Sequence, residues 1–364
     1  MRRHHGPLLR PTLLLLTTML LAACADPSAR DGGPPVTVGS AAPTAISPAS
    51  DTVTAATTPV APDPTARAAT TTTVTATTAT AVTAAPPVTG TSCREGADGP
   101  EEHVYVERPG VDPAMTSLDL YLPPGCGPAP VVVWVHGGGW RTGDKRRSNT
   151  AQKAALVHEV GAALVAVDYR LSTPGSDVQW PDHGDDVATA LAWIVESGPA
   201  LGLDVSRIVL VGHSAGAHLV SILATDPALM ASVGMSPSDI DGVIALDTDT
   251  WDLATSPAFE SGLVTGAFGT DPEVLAAASP LLQVREHGAP ALPFLVVTRG
   301  SSARVDGAQG FVDALRASGG DATLVVAAGY SHADVNQRLG EPGETVVTPA
   351  VRTFLAERLA ANGG

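Results

Sequence analysis

Apolar and polar residues alternate in two regular ways along the C-terminal three-quarters of the chain. In the segments 103–106 and 117–122, apolar residues stand at every second position, which is the pattern of a strand with one buried face. Several later segments are apolar at consecutive positions, as in parallel strands that are covered on both faces. These segments are 131–135, 162–167, 207–211, 242–246, 294–298 and 324–327.

Stretches with helical character lie between these predicted strands. They are expected at about 147–160, 184–197, 215–225, 307–318 and 348–360. Strands that alternate with helices build a doubly wound, mostly parallel sheet with helices on both faces, which is an α/β fold. Ligands of such sheets bind beyond the carboxyl ends of the strands, so we expect the chemistry of this protein at that edge.

The N-terminal residues have the pattern of an export signal. Three arginines precede a short apolar stretch that has about half the length required to span a bilayer. The stretch ends in Leu-Ala-Ala-Cys at 21–24, which resembles the lipobox of bacterial lipoproteins. We predict a signal peptide at 1–23 and a lipid anchor on Cys24, which would hold an exported protein on the cell membrane. The alternative is an ordinary signal peptide that is cleaved near Ala25.

Composition separates residues 24–92 from the remainder of the chain. This stretch is rich in Thr, Ala, Pro and Val, whereas all five Trp and all four Tyr lie beyond residue 100. A chain of this kind cannot bury enough apolar surface to offset the entropy lost on ordering it. We therefore predict a disordered tether at 24–92 and one folded domain at 93–364.

Net charge and cysteine content bear on the partners of the protein and on its disulfide bonds. The net charge of −16 argues against a nucleic-acid partner, because nucleic-acid binding needs clustered Lys and Arg. With Cys24 assigned to lipid, Cys93 and Cys126 remain in an oxidising compartment, and we predict a disulfide between them. The bond would join the start of the domain to the loop after its second strand. The alternative is that both thiols are free.

Residues 212–216 read Gly-His-Ser-Ala-Gly and stand between a predicted buried strand and a predicted helix. A sharp turn at this point holds a serine in a strained backbone conformation, while the flanking glycines leave room for neighbouring chain. This context favours Ser214 as a nucleophile. An ordinary strand-to-helix turn with a serine N-cap is the alternative.

Three consecutive glycines follow the first predicted buried strand, in the segment His136–Trp140. Consecutive glycines cost backbone entropy, and a loop whose N–H groups face an oxyanion is a physical reason for them. A phosphate-binding loop also uses glycines, but the Lys-Ser/Thr pair and the acidic residue of such sites are missing at the required spacing. The segment therefore predicts an oxyanion hole.

His332 lies in the loop after the last predicted strand, where it can reach Ser214 as its general base. His213 and His218 flank the nucleophile and are interpreted as helix-packing or cavity-lining residues. No His-x-x-x-His or Cys-x-x-Cys pairing suggests a metal site, and no motif indicates a cofactor. These residues predict hydrolytic chemistry that needs neither metal nor cofactor.

The order of the three motifs resembles that of the α/β-hydrolase esterases. The similar branch contains hormone-sensitive-lipase-like carboxylesterases, feruloyl and acetyl esterase-like proteins, and kynurenine formamidases. Val167–Leu171 is similar to the "DYRL" segment of that branch, and the resemblance covers about residues 103–360. It implies an α/β-hydrolase fold, with the N–H groups of Gly138, Gly139 and Ala215 as the oxyanion hole.

The third member of the catalytic triad is the point at which this chain departs from the family pattern. The family usually places an Asp shortly after the penultimate strand, in a phrase like "HGxxD", whereas residues 298–303 read TRGSSA. Asp247 ends the preceding strand and can replace it. Asp306 lies just beyond the segment, where it also suits the N-cap of the next helix. We favour Asp247 over Asp306, and both remain candidates.

Together these residues predict a serine esterase, a carboxylic-ester hydrolase that works through an acyl-enzyme. Too few residues separate Cys93 from the first strand for an N-terminal cap, and residues 248–292 can supply only a short lid. A minimal cap suits short acyl or aryl esters, on small molecules or on polymers. Two other classes stay open, namely another acyl hydrolase of amidase or peptidase type and a non-catalytic surface-binding protein on a hydrolase scaffold.

Overall fold

The structure is a computed structural model that describes residues 93–96, 98–147 and 149–360. A central sheet of mostly parallel strands forms the middle of this described part. The predicted signal peptide, the predicted lipid attachment at Cys24 and the predicted tether lie outside these residues. The bounds of the domain at 93–364 stay a prediction.

The strands and helices alternate as the sequence pattern predicts. The strands are β1 (Cys93–Arg94), β2 (Asp98–Val104), β3 (Ser117–Leu122), β4 (Gly125–Cys126), β5 (Ala129–Val135), β6 (Ala163–Val167), β7 (Leu203–His213), β8 (Gly242–Leu246), β9 (Phe294–Arg299) and β10 (Ala322–Ala327). The helices are α1 (Thr150–His158), α2 (Asp182–Ser197), α3 (Ala215–Thr225), α4 (Pro227–Ala231), α5 (Pro257–Glu260), α6 (Leu263–Phe268), α7 (Pro272–Ala277), α8 (Pro280–His287), α9 (Ser302–Ala317), α10 (His332–Gln337) and α11 (Val347–Leu359).

The main sheet has eight strands in the order β10-β9-β8-β7-β5-β6-β3-β2. β2 pairs antiparallel with β3, and β3 pairs antiparallel with β6. The pairs from β6 through β10 are parallel. Antiparallel strands are therefore confined to one side of the sheet, and the parallel part carries all the strand ends at which the sequence predicts chemistry.

Both faces of the sheet are covered, and β5 shows why its sequence is apolar throughout. Val131, Val133 and Val135 contribute to the core on one face, which α2, α3 and α9 cover. Val132 and Trp134 contribute to the core on the other face, which α1, α10 and α11 cover. A strand that is buried on both faces has no position at which a polar side chain meets water. The predicted doubly wound α/β architecture is confirmed.

Several predicted elements have different bounds in the structure; β7, for example, begins at Leu203 rather than residue 207. β2 ends at Val104 rather than Val106, because its partner β3 begins at Ser117 and the pairing stops there. α9 begins at Ser302, five residues earlier than the glycine at which the sequence pattern places its start. Its first turn contacts Asp247 and Asp249, which follow β8, and these contacts are described below.

No helix among residues 93–96, 98–147 and 149–360 has both the length and the apolarity that a bilayer crossing requires.

The predicted disulfide between Cys93 and Cys126 is confirmed. Its two residues are partners in the short antiparallel pair formed by β1 and β4. Arg94 adds a hydrogen bond from its Nε to the carbonyl oxygen of Pro123, at 2.9 Å. The first described residues are thus attached to the loop that follows β3.

Removing this bond should lower the free energy of unfolding. The disulfide joins two residues that are 33 positions apart, and it restricts the unfolded chain by closing a loop. The double variant Cys93→Ser/Cys126→Ser lacks this restriction, and we expect its free energy of unfolding to be about 2–4 kcal/mol lower. Urea unfolding measures this loss. Dithiothreitol should destabilise the unmodified protein and leave the double variant unchanged, whereas equal stability of the two proteins would contradict the prediction.

Candidate active site

Ser214 occupies a strained turn between β7 and α3. Its backbone angles are φ 57° and ψ −120°, and residues other than glycine seldom adopt a positive φ. Its N–H donates to the carbonyl oxygen of Leu246 at 2.9 Å, and its own carbonyl oxygen accepts from the N–H of His218 at 3.1 Å. The strained conformation is therefore held by bonds to β8 on one side and to α3 on the other.

Two glycines make this turn sterically possible. A Cβ atom on Gly212 would lie 2.2 Å from the carbonyl oxygen of Gly216. A Cβ atom on Gly216 would lie 2.1 Å from the carbonyl oxygen of Val135, at the end of β5. Both distances are far below a normal contact, so Gly212 is required by the packing within the turn and Gly216 by the packing of the turn against β5.

The glycine loop after β5 approaches Ser214 from this same strand. Gly138 and Gly139 have φ angles of 125° and 61°, and a Cβ atom on Gly138 would lie 1.9 Å from the carbonyl oxygen of Thr142. Gly139 and Ala215 line one cavity together with Ser214. Among the described residues, no acceptor receives a hydrogen bond from the N–H groups of Gly138, Gly139 or Ala215. These N–H groups are available for an oxyanion.

A buried ionic network supports this loop. His136 is 5% exposed, its Nδ1 contacts the carbonyl oxygen of Gly137 at 2.8 Å, and its Nε2 lies 3.4 Å from Asp168 Oδ1. Asp168 in turn accepts from Lys145 Nζ at 3.0 Å and from the Lys145 N–H at 2.6 Å. Tyr169 stacks on the His136 ring and donates its hydroxyl hydrogen to the His136 carbonyl oxygen at 3.0 Å. The "DYRL" segment thus positions the glycine loop.

His332 is the first residue of α10, and Asp247 follows the last residue of β8. The Nδ1 atom of His332 lies 2.5 Å from Oδ2 of Asp247, which is fully buried. Because Nδ1–H donates to this carboxylate, the Nε2 atom of the neutral ring is left as an acceptor. Ser331 and Asp334 form a capping box that sets the start of α10 and so orients His332.

The environment of Asp247 keeps its carboxyl ionised. Burial by itself would raise the pKa of Asp247. The hydrogen bond with His332, the charge of Arg304 and the N–H of Arg299 outweigh it and hold the pKa well below its ordinary value. A carboxylate in this state can stabilise an imidazolium at His332.

Asp306, the other candidate acid, lies elsewhere. It is an exposed residue within α9, which begins at Ser302. The expectation that Asp306 caps this helix is therefore wrong, because residues Ser302 to Val305 already belong to its first turn. Asp247 is the candidate that contacts His332.

His213 and His218 have separate surroundings. His213 lines a cavity beside Ser214, and its Nε2–H donates to the carbonyl oxygen of His332 at 3.0 Å. Burial lowers the pKa of His213 to about 3, so the ring is neutral, and its hydrogen bond holds the backbone at the start of α10. His218 is buried and contacts the carbonyl oxygen of Ala278 at 2.8 Å. Burial lowers the pKa of His218 to about 4.

Two cavities meet at Ser214. One has a volume of about 270 Å³ and is lined by Trp140, Thr250 and Arg304, among others. The other has a volume of about 400 Å³ and is lined by Thr142, His213 and Asn336, among others. Both include Gly139, Ser214, Leu263 and His332. Ser214 and His332 therefore face one continuous space, and among the described residues no hydrogen bond yet joins their side chains.

Leu263 and Arg304 are residues of this site that sequence reasoning missed. Leu263 begins α6 and lies over Gly139. A Cβ atom added to Gly139 would lie 3.1 Å from Cδ2 of Leu263. Nothing in the apolar pattern distinguishes Leu263 from a core residue. For Arg304 a signal existed, since an arginine stands directly after the segment in which the expected carboxylate is missing. Among the described residues, no group of three or more His, Cys, Asp or Glu side chains is arranged to hold a metal.

Residues 118–303 match the family model described as BD-FAE, and this match spans more than half of the chain. The chain belongs to the BD-FAE family. The matched residues of the BD-FAE model include the glycine loop, Ser214 and Asp247, and they end directly before Arg304.

Curated relatives of this BD-FAE protein are named as esterases. Esterase LipC of Mycobacterium tuberculosis is 31% identical over 204 residues, which are 52% of this chain and 49% of that protein. Ethyl acetate hydrolase of Pseudomonas putida is 37% identical over 110 residues, which are 29% of this chain and 33% of that protein. The chain thus spans about half the length of the curated relatives it matches, or less.

Solved structures support the fold. Esterase B from Lactobacillus rhamnosis superimposes with a TM-score of 0.56 and 21% identity, covering 73% of this chain and 90% of that chain. At this identity the likeness concerns the fold alone. The expected α/β-hydrolase fold is confirmed.

Replacing the two candidate acids separately tests the contact with His332. Asp247→Asn should lower kcat for p-nitrophenyl acetate by about four orders of magnitude, because an amide no longer selects the required His332 tautomer. Asp306→Asn is the matched control and should retain the full rate, since its carboxyl is exposed within α9. A large loss in Asp306→Asn with none in Asp247→Asn would reverse the assignment.

Proposed function

We propose that this protein is a serine carboxylic-ester hydrolase that acts on short acyl or aryl esters through an acyl-enzyme. One observation carries the proposal. Ser214, on its strained turn, shares a cavity with His332 and with N–H groups that have no acceptor among the described residues. The names of the curated relatives support the same reaction.

The proposed reaction begins with proton transfer. His332 Nε2 accepts the proton of Ser214 Oγ as this oxygen attacks the ester carbonyl carbon. The N–H groups of Gly138, Gly139 and Ala215 donate to the resulting oxyanion. His332 then protonates the leaving alcohol, and an acyl group remains on Ser214.

Water completes the cycle. His332 removes a proton from a water molecule, which attacks the acyl carbon, and the acid is released as Ser214 recovers its proton. Asp247 stays ionised throughout, and it stabilises the imidazolium in both half-reactions.

The size of the site supports short or flat esters. The two cavities, of about 270 and 400 Å³, leave room for an acyl group on one side of Ser214 and an alcohol on the other. The segment between β8 and β9 contributes short helices, and Leu263 of α6 is the one described residue of this segment that lines both cavities. Among the relatives, the name ethyl acetate hydrolase describes a short ester. Acylated polymers are also compatible with a site of this kind.

Replacing the nucleophile tests the reaction. Ser214→Ala should abolish turnover of p-nitrophenyl acetate and labelling by a fluorophosphonate probe, while circular dichroism stays unchanged. Ser318→Ala, which removes an exposed hydroxyl at the end of α9, is the matched control and should keep both properties.

The results separate the competing classes. Hydrolysis that persists in pure Ser214→Ala would refute the nucleophile. If the unmodified protein neither turns over esters nor takes the label, the non-catalytic binding protein is favoured. Faster cleavage of matched anilides than of esters would instead favour an amidase or peptidase.

We also propose that the protein is exported and anchored to the cell membrane through a lipid on Cys24. The support is the sequence of residues 1–24, with its basic start, its short apolar stretch and its Leu-Ala-Ala-Cys end. The Thr/Pro-rich residues 25–92 would then separate the enzyme from the membrane surface. Taken as a flexible coil, a chain of this length spans on the order of 45 Å.

Cys24→Ser tests the anchor, since it removes the thiol and leaves the apolar stretch intact. In a bacterial host, the unmodified protein should enter the detergent phase of Triton X-114 and incorporate an alkyne-tagged fatty acid. The variant should do neither and should be recovered in the aqueous phase. Fatty-acid labelling that persists in Cys24→Ser would contradict the proposal.

A further inference from the structure

The two oxygens of the Asp247 carboxylate have different partners. Oδ2 lies 2.5 Å from His332 Nδ1 and 3.5 Å from Arg299 Nε, whose side chain is 36% exposed. Oδ1 accepts the backbone N–H of Arg299 at 3.0 Å and the Nε–H of Arg304 at 3.3 Å. Because Oδ1 is held from two directions, the carboxylate cannot rotate without losing these bonds, and Oδ2 stays directed at His332.

Arg304 contacts the backbone of this turn as well. Its Nη2 donates to the carbonyl oxygen of Asp247 at 3.2 Å, and its Nη1 lies 2.5 Å from Asp249 Oδ2. The Arg304 side chain is only 12% exposed, so these bonds are largely shielded from water. Asp247 has a φ of 48°, which costs strain energy that neighbouring contacts must offset. The guanidinium of Arg304 thus binds both the side chain and the strained backbone of Asp247.

The geometry points to Arg304 as a positioning residue for the reaction, one that acts on His332 through Asp247. This inference rests on the proposed function. Arg304 holds the carboxylate in the orientation that His332 needs, and it balances the two acidic side chains, Asp247 and Asp249, that this turn brings together.

The sequence position of Arg304 fits this role. In the family pattern the acid stands a few residues after the penultimate strand, here β9, and the corresponding position in this chain is Ala303. The next residue is Arg304, in the first turn of α9, which reaches across to the end of β8. The chain therefore has a carboxylate directly after β8 and a cation directly after the segment in which the family pattern places the carboxylate.

A double-mutant cycle separates this role from two others. Arg304→Met keeps the length of the side chain and removes its charge and its hydrogen bonds. It should lower kcat for p-nitrophenyl acetate about 10- to 100-fold, because a misplaced catalytic group costs rates of this order. KM should change less than about twofold. In the Asp247→Asn background, Arg304→Met should add no more than about a threefold loss, since the residue through which it acts has already been altered.

Two further variants test whether the loss of kcat is specific to the guanidinium of Arg304. Arg304→Lys keeps the charge without the guanidinium fork and should recover part of the lost kcat. Arg285→Met removes an exposed arginine of α8 and should leave kcat unchanged. If Arg304→Met does not fold, as judged by circular dichroism, Arg304→Gln replaces it under the same criteria.

Two kinetic results would overturn the inference. A raised KM at unchanged kcat would make Arg304 a substrate-binding residue, because its side chain also lines the smaller cavity. If Arg304→Met lowers kcat by the same factor in the Asp247→Asn background as in the unmodified protein, Arg304 does not act through Asp247.

A spectroscopic readout keeps this inference separate from the proposed function. The proton of His332 Nδ1–H, in its short bond to Asp247, should give a low-field NMR resonance in the unmodified protein. Arg304→Met should shift or broaden it, and Arg285→Met should not. An unchanged resonance in Arg304→Met would overturn the positioning role even if the protein hydrolysed no ester.

Discussion

The close approach of α3 to β5 governs the geometry of the site. Neither Gly212 nor Gly216 has space for a Cβ atom, because backbone oxygens lie about 2 Å from where those atoms would be. Ser214, which stands between these glycines, has a positive φ, and its N–H donates to the carbonyl oxygen of Leu246. The next residue, Asp247, is also at positive φ. The two strained residues are therefore neighbours across β7 and β8, and one hydrogen bond couples the proposed nucleophile to the turn of the acid.

Two buried carboxylates at this edge of the sheet have complementary roles. Asp247 orients His332 and is balanced by Arg304, while Asp168 contacts His136 and is balanced by Lys145. A buried charge is tolerated only when a partner and hydrogen bonds offset its loss of hydration. Each carboxylate here has both. One supports the proposed general base, and the other supports the loop of the proposed oxyanion hole. Buried ion pairs thus lie on both sides of Ser214.

Much of the fold and part of the site could be predicted from the sequence. Strands such as β5 are recognisable because burial on both faces requires apolar residues at consecutive positions. Ser214 is recognisable because its turn requires glycines at two fixed positions, and Cys93 and Cys126 because an oxidising compartment favours their pairing. The start of α9 could not be predicted, since its first turn is stabilised by the contacts of Arg304 with Asp247 and Asp249 rather than by a cap next to it in sequence.

The sequence by itself determined the order of strands and helices, the strand end that carries the proposed nucleophile and the glycine loop beside it. Local patterns contain this information, because periodicity and tight turns depend on residues that are close along the chain. Only the tertiary structure decided between Asp247 and Asp306 as the partner of His332. Asp247 and His332 are 85 residues apart in sequence. Both candidates lie near the same strand ends, and it is the direction of each side chain, set by the turn after β8 and by the start of α9, that brings one carboxylate to the imidazole and leaves the other in solvent.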